Sequence, residues 1–267
     1  MPAAMLATAL TMLAGCQLAT APSRSAASFS PPFPAARGPN ALWTIVSQQC
    51  LPDLQHNGSS APCALIERGD RPDGFAILKD VEGKSQYLLI PTARVQGIET
   101  PTLLQAQAPH YFSFAWDNRH LVSAALGRQL QDDEVSLAIN PLHARSQQQL
   151  HIHIDCVNAG VRHDLSRYAV PFGKRWTAIE SNHRKLNVRR MTIAQLHATN
   201  LFKLVADTIP GAATDMAGET ILVTGAGAAS ESAGIYVVEG NYDTAGRGRW
   251  PAEALQDHAC KQPTTAG

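Results

Sequence analysis

Short apolar runs and longer amphipathic stretches follow one another along the chain in an order that predicts a mixed α+β fold. Ala41 to Gln49 reads as a helix running into Cys50, and Leu51 to Pro62 as a polar loop that turns at Asn57-Gly58. Phe75 to Asp80 and Gln86 to Pro91 are apolar runs separated by Val-Glu-Gly-Lys-Ser, which is hairpin chemistry, and Ala93 to Glu99 reads as a third short strand. From His110 to Leu130, the residues Phe112, Phe114, Trp116, Leu121, Ala124 and Ala125 recur at helical spacing, and Gly127 suits the stop. Val135 to Asn140 and Gln149 to Cys156 then read as two strands joined by a polar turn.

The same order returns in the second half. Trp176 to Glu180 and Leu186 to Met191 flank a turn from Ser181 to Lys185. Thr192 to Ile209 is an apolar-periodic helix that Pro210-Gly211 stops, and Glu219 to Thr224 and Gly234 to Glu239 follow as strands. The halves, about 41–158 and 159–260, share this pattern without shared residue identity, which points to an internal pseudo-dimer. The alternative is that the order recurs by chance in an α+β protein. The pseudo-dimer reading expects a single histidine-bearing strand per chain, since Gly234 to Glu239 contains no histidine.

Composition narrows the function. The 267 residues carry 22 Lys and Arg against 22 Asp and Glu, so the basic excess that nucleic-acid binding needs is missing. With 45% hydrophobic and 16% charged residues, and 19 Gly and 17 Pro, the chain is neither disordered nor collagen-like. No apolar run reaches the roughly 20 residues of a bilayer-spanning helix.

The N-terminus reads as an export signal. Residues 3–15 form an uncharged run, and Leu13-Ala14-Gly15-Cys16 resembles a bacterial lipobox, with residues 1–15 removed and Cys16 acylated. No Lys or Arg precedes Arg24, a departure from that pattern. The Ala, Pro and Ser of Thr20 to Pro39 have linker composition, so 16–40 reads as a tether, 41–260 as the folded domain and 261–267 as a tail. In an exported, oxidising compartment the remaining Cys50, Cys63, Cys156 and Cys260 point to two disulfides. Of three pairings, the favoured one joins Cys50 to Cys63 across a short loop and Cys156 to Cys260, tying the tail to the central sheet. The other reading of Cys156 is a small buried apolar residue.

The candidate chemistry sits on one strand. At a period of two, Gln149, His151 and His153 share one face, and Leu150, Ile152, Ile154 and Cys156 the other. The apolar face can pack under helix and leave two imidazoles lining a pocket. Just upstream, Asn140 to Gln148 supplies an amide, a guanidinium and a hydroxyl, the donor types that hold phosphate. Three readings stand level on spacing alone. His151 is a nucleophile that attacks phosphorus; or His151 and His153 are two ligands of a Zn or Cu site completed by Asp155, His143 or His163; or both are satisfied or solvated histidines on an edge strand.

Gln149-Leu-His-Ile-His-Ile resembles the histidine-triad motif, with Gln149 in place of its opening histidine. The wider set of Cys50-Leu-Pro, Pro62-Cys63, Ala76 to Asp80, Gln86 to Thr92, Gly97 to Pro101, Phe114-Ala-Trp116, Val135 to Asn140, Arg145-Ser-Gln147, His151 to Cys156 and Gln256 to Cys260 resembles bacterial CDP-diacylglycerol pyrophosphatase. The resemblance covers nearly all of residues 41–260 and implies a histidine-triad-like antiparallel sheet with helices on one face. It also implies hydrolysis of CDP-diacylglycerol to CMP and phosphatidate, with His151 as nucleophile and His153 assisting the leaving group. Gln149 then does the opening histidine's orienting work, and Asn140, Ser146 and Gln147 join it as binders of phosphate or ribose. No metal or cofactor is implied. The expected setting is a lipid-anchored monomer at the periplasmic face of the bacterial envelope, reaching its substrate in the membrane surface. The competing functions are the same chemistry on a soluble nucleotide diphosphate derivative, and a periplasmic metal-binding lipoprotein.

Overall fold

The computed structural model describes Met1 and residues 37–181, 183–241 and 251–261; Cys16, its lipobox and most of the 16–40 tether lie outside the described residues. The folded part opens with one continuous helical stretch: α1 (Ala41–Ile45), a π-helical turn (Val46–Cys50) and α2 (Leu51–Asn57). The sequence reading of a loop from Leu51 onward is therefore too short on helix. Pro52 comes just after the π-helical turn inside this stretch, and Gly58 ends the helix at φ 66.

Nine strands form one antiparallel sheet: β1 (Leu65–Glu67), β2 (Phe75–Lys79), β3 (Tyr87–Pro91), β4 (Val135–Ile139), β5 (Ile152–Cys156), β6 (Thr177–Ser181), β7 (Arg184–Met191), β8 (Glu219–Gly225) and β9 (Ile235–Asn241). Their order is β1-β2-β3-β5-β4-β8-β9-β7-β6. The halves meet at β4 and β8, with Ser136 opposite Thr224 and Ile139 opposite Ile221. The second half thus continues the sheet of the first.

On one face Leu137, Ile139, Ile152, Ile154, Ile221, Val223, Ile235 and Val237 form the main core. It is closed by Phe112, Trp116 and Val122 of α3 (Tyr111–Asp117) and α4 (His120–Leu126), and by Leu196, Phe202 and Val205 of α6 (Ile193–Ala198) and α7 (Leu201–Thr208). The expectation of helices on one face alone needs correction. On the opposite face Leu42, Val46 and Cys50 cover Ala76, Leu78, Leu88 and Ile90. There too, α5 (Ala159–Arg167) and the turn Ala252–Leu255 cover Ala138, Val188, Leu222 and Val238. The reason lies in the strands: β4 and β8 are buried at every position, so both faces require cover.

Other differences are local. Ala93 to Glu99 is not a strand: the Ala93 and Val95 carbonyls are taken by the Gln149 side chain and the Leu150 N–H, and Gly97 to Thr100 forms a turn. The single helix expected from Thr192 to Ile209 splits because Asn200 caps α7, accepting from the N–H groups of Phe202 and Lys203. α5, unexpected from the sequence, starts at the Asn158 cap.

β8 and β9 also bury two carboxyls, Glu219 and Glu239, each about 1% exposed. Burial, with Glu239 alongside, pushes the Glu219 pKa from 4.5 up to about 9. A carboxyl that holds its proton more tightly when folded contributes stability below its unfolded pKa and loses it as pH rises through the folded one. Glu219→Gln is therefore expected to flatten the fall in melting temperature between the unfolded value of 4.5 and the folded one of about 9. Melting curves taken as a function of pH check this, and an unchanged slope would refute it.

Candidate active site

Between the two covered patches, the sheet face carrying His151, His153 and Asp155 opens into a cleft of about 400 Å³. Leu42, Ile45, Leu78 and Leu88 give it apolar lining, and Asn140, Ser146, Gln147, His151, His153 and Glu253 give it polar lining. The period-two reading of this strand holds: Leu150, Ile152, Ile154 and Cys156 all enter the main core, which turns the imidazoles the other way.

His151 is 8% exposed, and its Nδ1 lies 2.7 Å from the backbone carbonyl of Gln149. A carbonyl only accepts, so the bond fixes the proton on Nδ1 and leaves Nε2 with its lone pair. Burial lowers the His151 pKa, against the upward pull of the Gln149 bond, Glu253 and Asp80. The ring is therefore neutral near pH 7, the state a nucleophile needs.

His153 packs against it, ring centroids 4.8 Å apart and 62° between planes. The Gln86 amide nitrogen donates to Asp80 at 3.0 Å and faces His153 Nδ1 at 2.5 Å. With the amide so directed, Nδ1 is the acceptor and Nε2 carries the proton. That Nε2 is buried and meets no hydrogen-bond partner among the described residues. Burial first, then the neighbouring His151, pushes the His153 pKa down to about 3, with Glu253 opposing.

A third layer comes from the C-terminal segment. Glu253 Oε1 lies 3.4 Å from His153 Nδ1 and 3.4 Å from His258 Nε2, while Oε2 accepts from Asn140 at 2.9 Å. His258 Nδ1 bonds Asp155 at 2.8 Å, and Asp155, fully buried, also accepts from Ser85 at 3.0 Å. Bonding to Asp155 and then Glu253 raises the His258 pKa to about 10. Burial raises that of Glu253, but the His258 bond and the charge of His153 outweigh it, and the value falls to about 2.

The residues singled out in the sequence divide into groups. His151, His153, Asn140, Ser146 and Gln147 all line the cleft. Asn140 is committed to Glu253 through its side-chain N–H and by accepting from the Glu253 backbone at 3.2 Å. Gln147 accepts from the Leu42 N–H at 3.2 Å and so fastens the start of α1. Gln149 is fully buried and donates to the carbonyls of Pro91 (3.0 Å) and Ala93 (2.9 Å), tying the strand to its neighbour outside the main cleft. Arg145, the guanidinium of the same turn, is paired with Glu99 at 2.5 and 2.6 Å, against Gly97, where any Cβ would collide with it.

Both favoured disulfides, Cys50–Cys63 and Cys156–Cys260, are present. Among the described residues no third ligand atom lies close enough to both histidines to share an ion with them. Among the described residues, the one group of His, Cys, Asp or Glu atoms close enough to share an ion is Asp155 with Cys156 and Cys260, whose sulfurs are spent on each other. His143 and His163 are exposed. Phe112 and Trp116 lie in the main core.

Glu253, His258, Gln86 and Asp80 were missed as site residues. A signal for the first two existed: Cys260 bonds Cys156, three residues beyond His153, so any acid or base close to Cys260 in sequence is carried to the histidines.

Comparison with known proteins gives the family. The family model for CDP-diacylglycerol pyrophosphatase matches residues 37–264. A protein of Yersinia pestis described as CDP-diacylglycerol pyrophosphatase is 38% identical over 224 residues, 83% of this chain and 84% of that one. The cleft, the histidine strand and both disulfides fall within the matched span, and the chain belongs to the CDP-diacylglycerol pyrophosphatase family.

Proposed function

We propose that the chain hydrolyses CDP-diacylglycerol to CMP and phosphatidate through a cytidylate carried on Nε2 of His151. The hydrolysis follows from family membership; the observation that carries the covalent route is the 2.7 Å bond from His151 Nδ1 to the Gln149 carbonyl. In the first step the Nε2 lone pair forms a bond to the cytidylyl phosphorus, and the bridging P–O bond breaks with its electron pair leaving on phosphatidate. The ring, now substituted on Nε2 and protonated on Nδ1, is positive, and the Gln149 carbonyl faces that charge. In the second step water attacks phosphorus, the N–P pair returns to Nε2, and the water proton passes to solvent.

Phosphatidate is a good leaving group, so positioning and charge stabilisation matter more than a strong acid. The unpartnered N–H of His153 supplies one donor, with Ser146 and Gln147 beside it in the same cleft. The sheet fits a histidine-triad-like pseudo-dimer: from β2 to β6 the order runs hairpin, third strand, central strand from either end. β9 then takes the place of β5 without a histidine, which leaves one site per monomeric chain. Anchoring through Cys16 at the periplasmic membrane face would hold the enzyme where its substrate is, raising effective concentration without a further contact.

Quenching in alkaline detergent, which preserves a phosphoramidate that acid would cleave, a reaction with label in the cytidine is expected to trap one labelled adduct per chain, mapped to the peptide containing His151. Quantitative turnover with no adduct at any quench time counts against the covalent route.

A further inference from the structure

Two groups face Nδ1 of His153, and they are chemically opposite. The Gln86 amide nitrogen can only donate, which suits a neutral ring with its proton on Nε2. Glu253 Oε1, 3.4 Å away, can only accept, and has nothing to receive from Nδ1 while the ring is neutral. A carboxylate in that place receives a hydrogen bond only when Nδ1 carries hydrogen, and with Nε2 also carrying one toward the cleft the ring is protonated on both nitrogens. It is held there on both oxygens, Oε2 by Asn140 and Oε1 by His258, and His258 is itself anchored on buried Asp155.

Burial beside a second imidazole disfavours a charged His153. Substrate changes that balance, since a pyrophosphate brings negative charge to within reach of Nε2. We propose that Glu253 is a positioning residue that lets His153 work in its protonated form, receiving the hydrogen on Nδ1 while the hydrogen on Nε2 passes to the departing phosphate oxygen. This rests on the reading of His153 as the group beside the leaving group. The proton is drawn from solvent before the step and leaves with phosphatidate, so His153 ends neutral and the cycle closes. His258 tempers the device: its positive charge partly cancels Glu253 and keeps the pull on His153 moderate. The other ionisable groups around the ring among the described residues are His151 before β5, Asp80 behind Gln86, and Lys79, Glu82 and Arg145 in the cleft lining.

The test is the pH profile of kcat on CDP-diacylglycerol in detergent micelles, for the full chain and for the neutral variants Glu253→Gln and His258→Gln. A step that needs protonated His153 falls off on the alkaline side. Removing the carboxylate is expected to move that limb to lower pH, with kcat down about 10²-fold and KM little changed. Removing the His258 cation is expected to move it to higher pH. Opposite displacements are the signature, because general loosening of the site shifts neither limb. Glu253→Asp, which keeps the charge, and His258→Lys, which keeps the cation, should return the limb toward its original place and keep the test open if a neutral variant fails to fold. Limbs that stay put, or move in the same direction, overturn the proposal. Adduct trapping separates this from the function itself: in Glu253→Gln the labelled His151 peptide still forms, only more slowly, whereas a wild-type enzyme with no adduct defeats the covalent route whatever the limbs do.

Discussion

Replacing His151 by Ala is expected to abolish turnover of CDP-diacylglycerol, with kcat falling on the order of 10³-fold or more, as when a covalent nucleophile is removed elsewhere. Loss of an imidazole that touches Gln149 and His153 leaves the main core untouched, because the ring points away from Ile152 and Ile154. The variant should therefore melt close to the wild type while forming no labelled adduct. Steady-state rates with chelator present throughout check the point and separate it from metal chemistry. Retained turnover excludes the covalent role; turnover that chelator abolishes favours a metal-assisted reaction on the same cleft.

The second large effect concerns stability and activity together. Cys156 and Cys260 are separated by 104 residues, and in the chain-entropy account a closure of ~100 residues contributes about 4.7 kcal/mol. The double replacement Cys156→Ser with Cys260→Ser is expected to cost most of that, read as a lower denaturant midpoint. It should also lower kcat at temperatures where the variant is still folded, because the same bond holds Glu253 and His258 over the histidines. A variant that melts early but turns over normally when folded would show that the C-terminal segment stays in place without the bond. Pairing Cys50 and Cys63 spans only 13 residues beside α1, so its loss should cost less.

Much of this architecture was legible in the chain. Period-two alternation from Leu150 to Cys156 told which way the histidines point, because apolar residues on one side of a strand have only the core to go to. The hairpin from Phe75 to Pro91 followed from its turn chemistry and appears as β2 and β3. What escaped depends on contacts far apart in sequence. α1 settles on the second face because β2 is apolar on both sides, with Phe75 and Ile77 toward the main core and Ala76 and Leu78 toward α1, and a single run of apolar residues does not reveal that it needs two covers. Ala93 to Glu99 has strand composition, yet its carbonyls are claimed by Gln149 and Leu150, more than fifty residues on.

The site divides along the same line. His151 and His153 were visible as neighbours on one strand, and Asn140 and Gln147 as polar residues in the turn before it. Glu253 and His258 were not, since nothing local marks an acid or a base in a C-terminal loop as part of a catalytic group. Gln149 does the orienting work expected of it: its amide is spent on the Pro91 and Ala93 carbonyls, outside the main cleft. Its contribution is to the shape of the strand, and its own carbonyl, not its side chain, touches the nucleophile.

The bond between Cys156 and Cys260 ties the loop that carries Glu253 and His258 to the histidine strand, so an oxidised chain holds that acid and base covalently in register with the imidazoles, while a reduced one holds them by hydrogen bonds and packing alone.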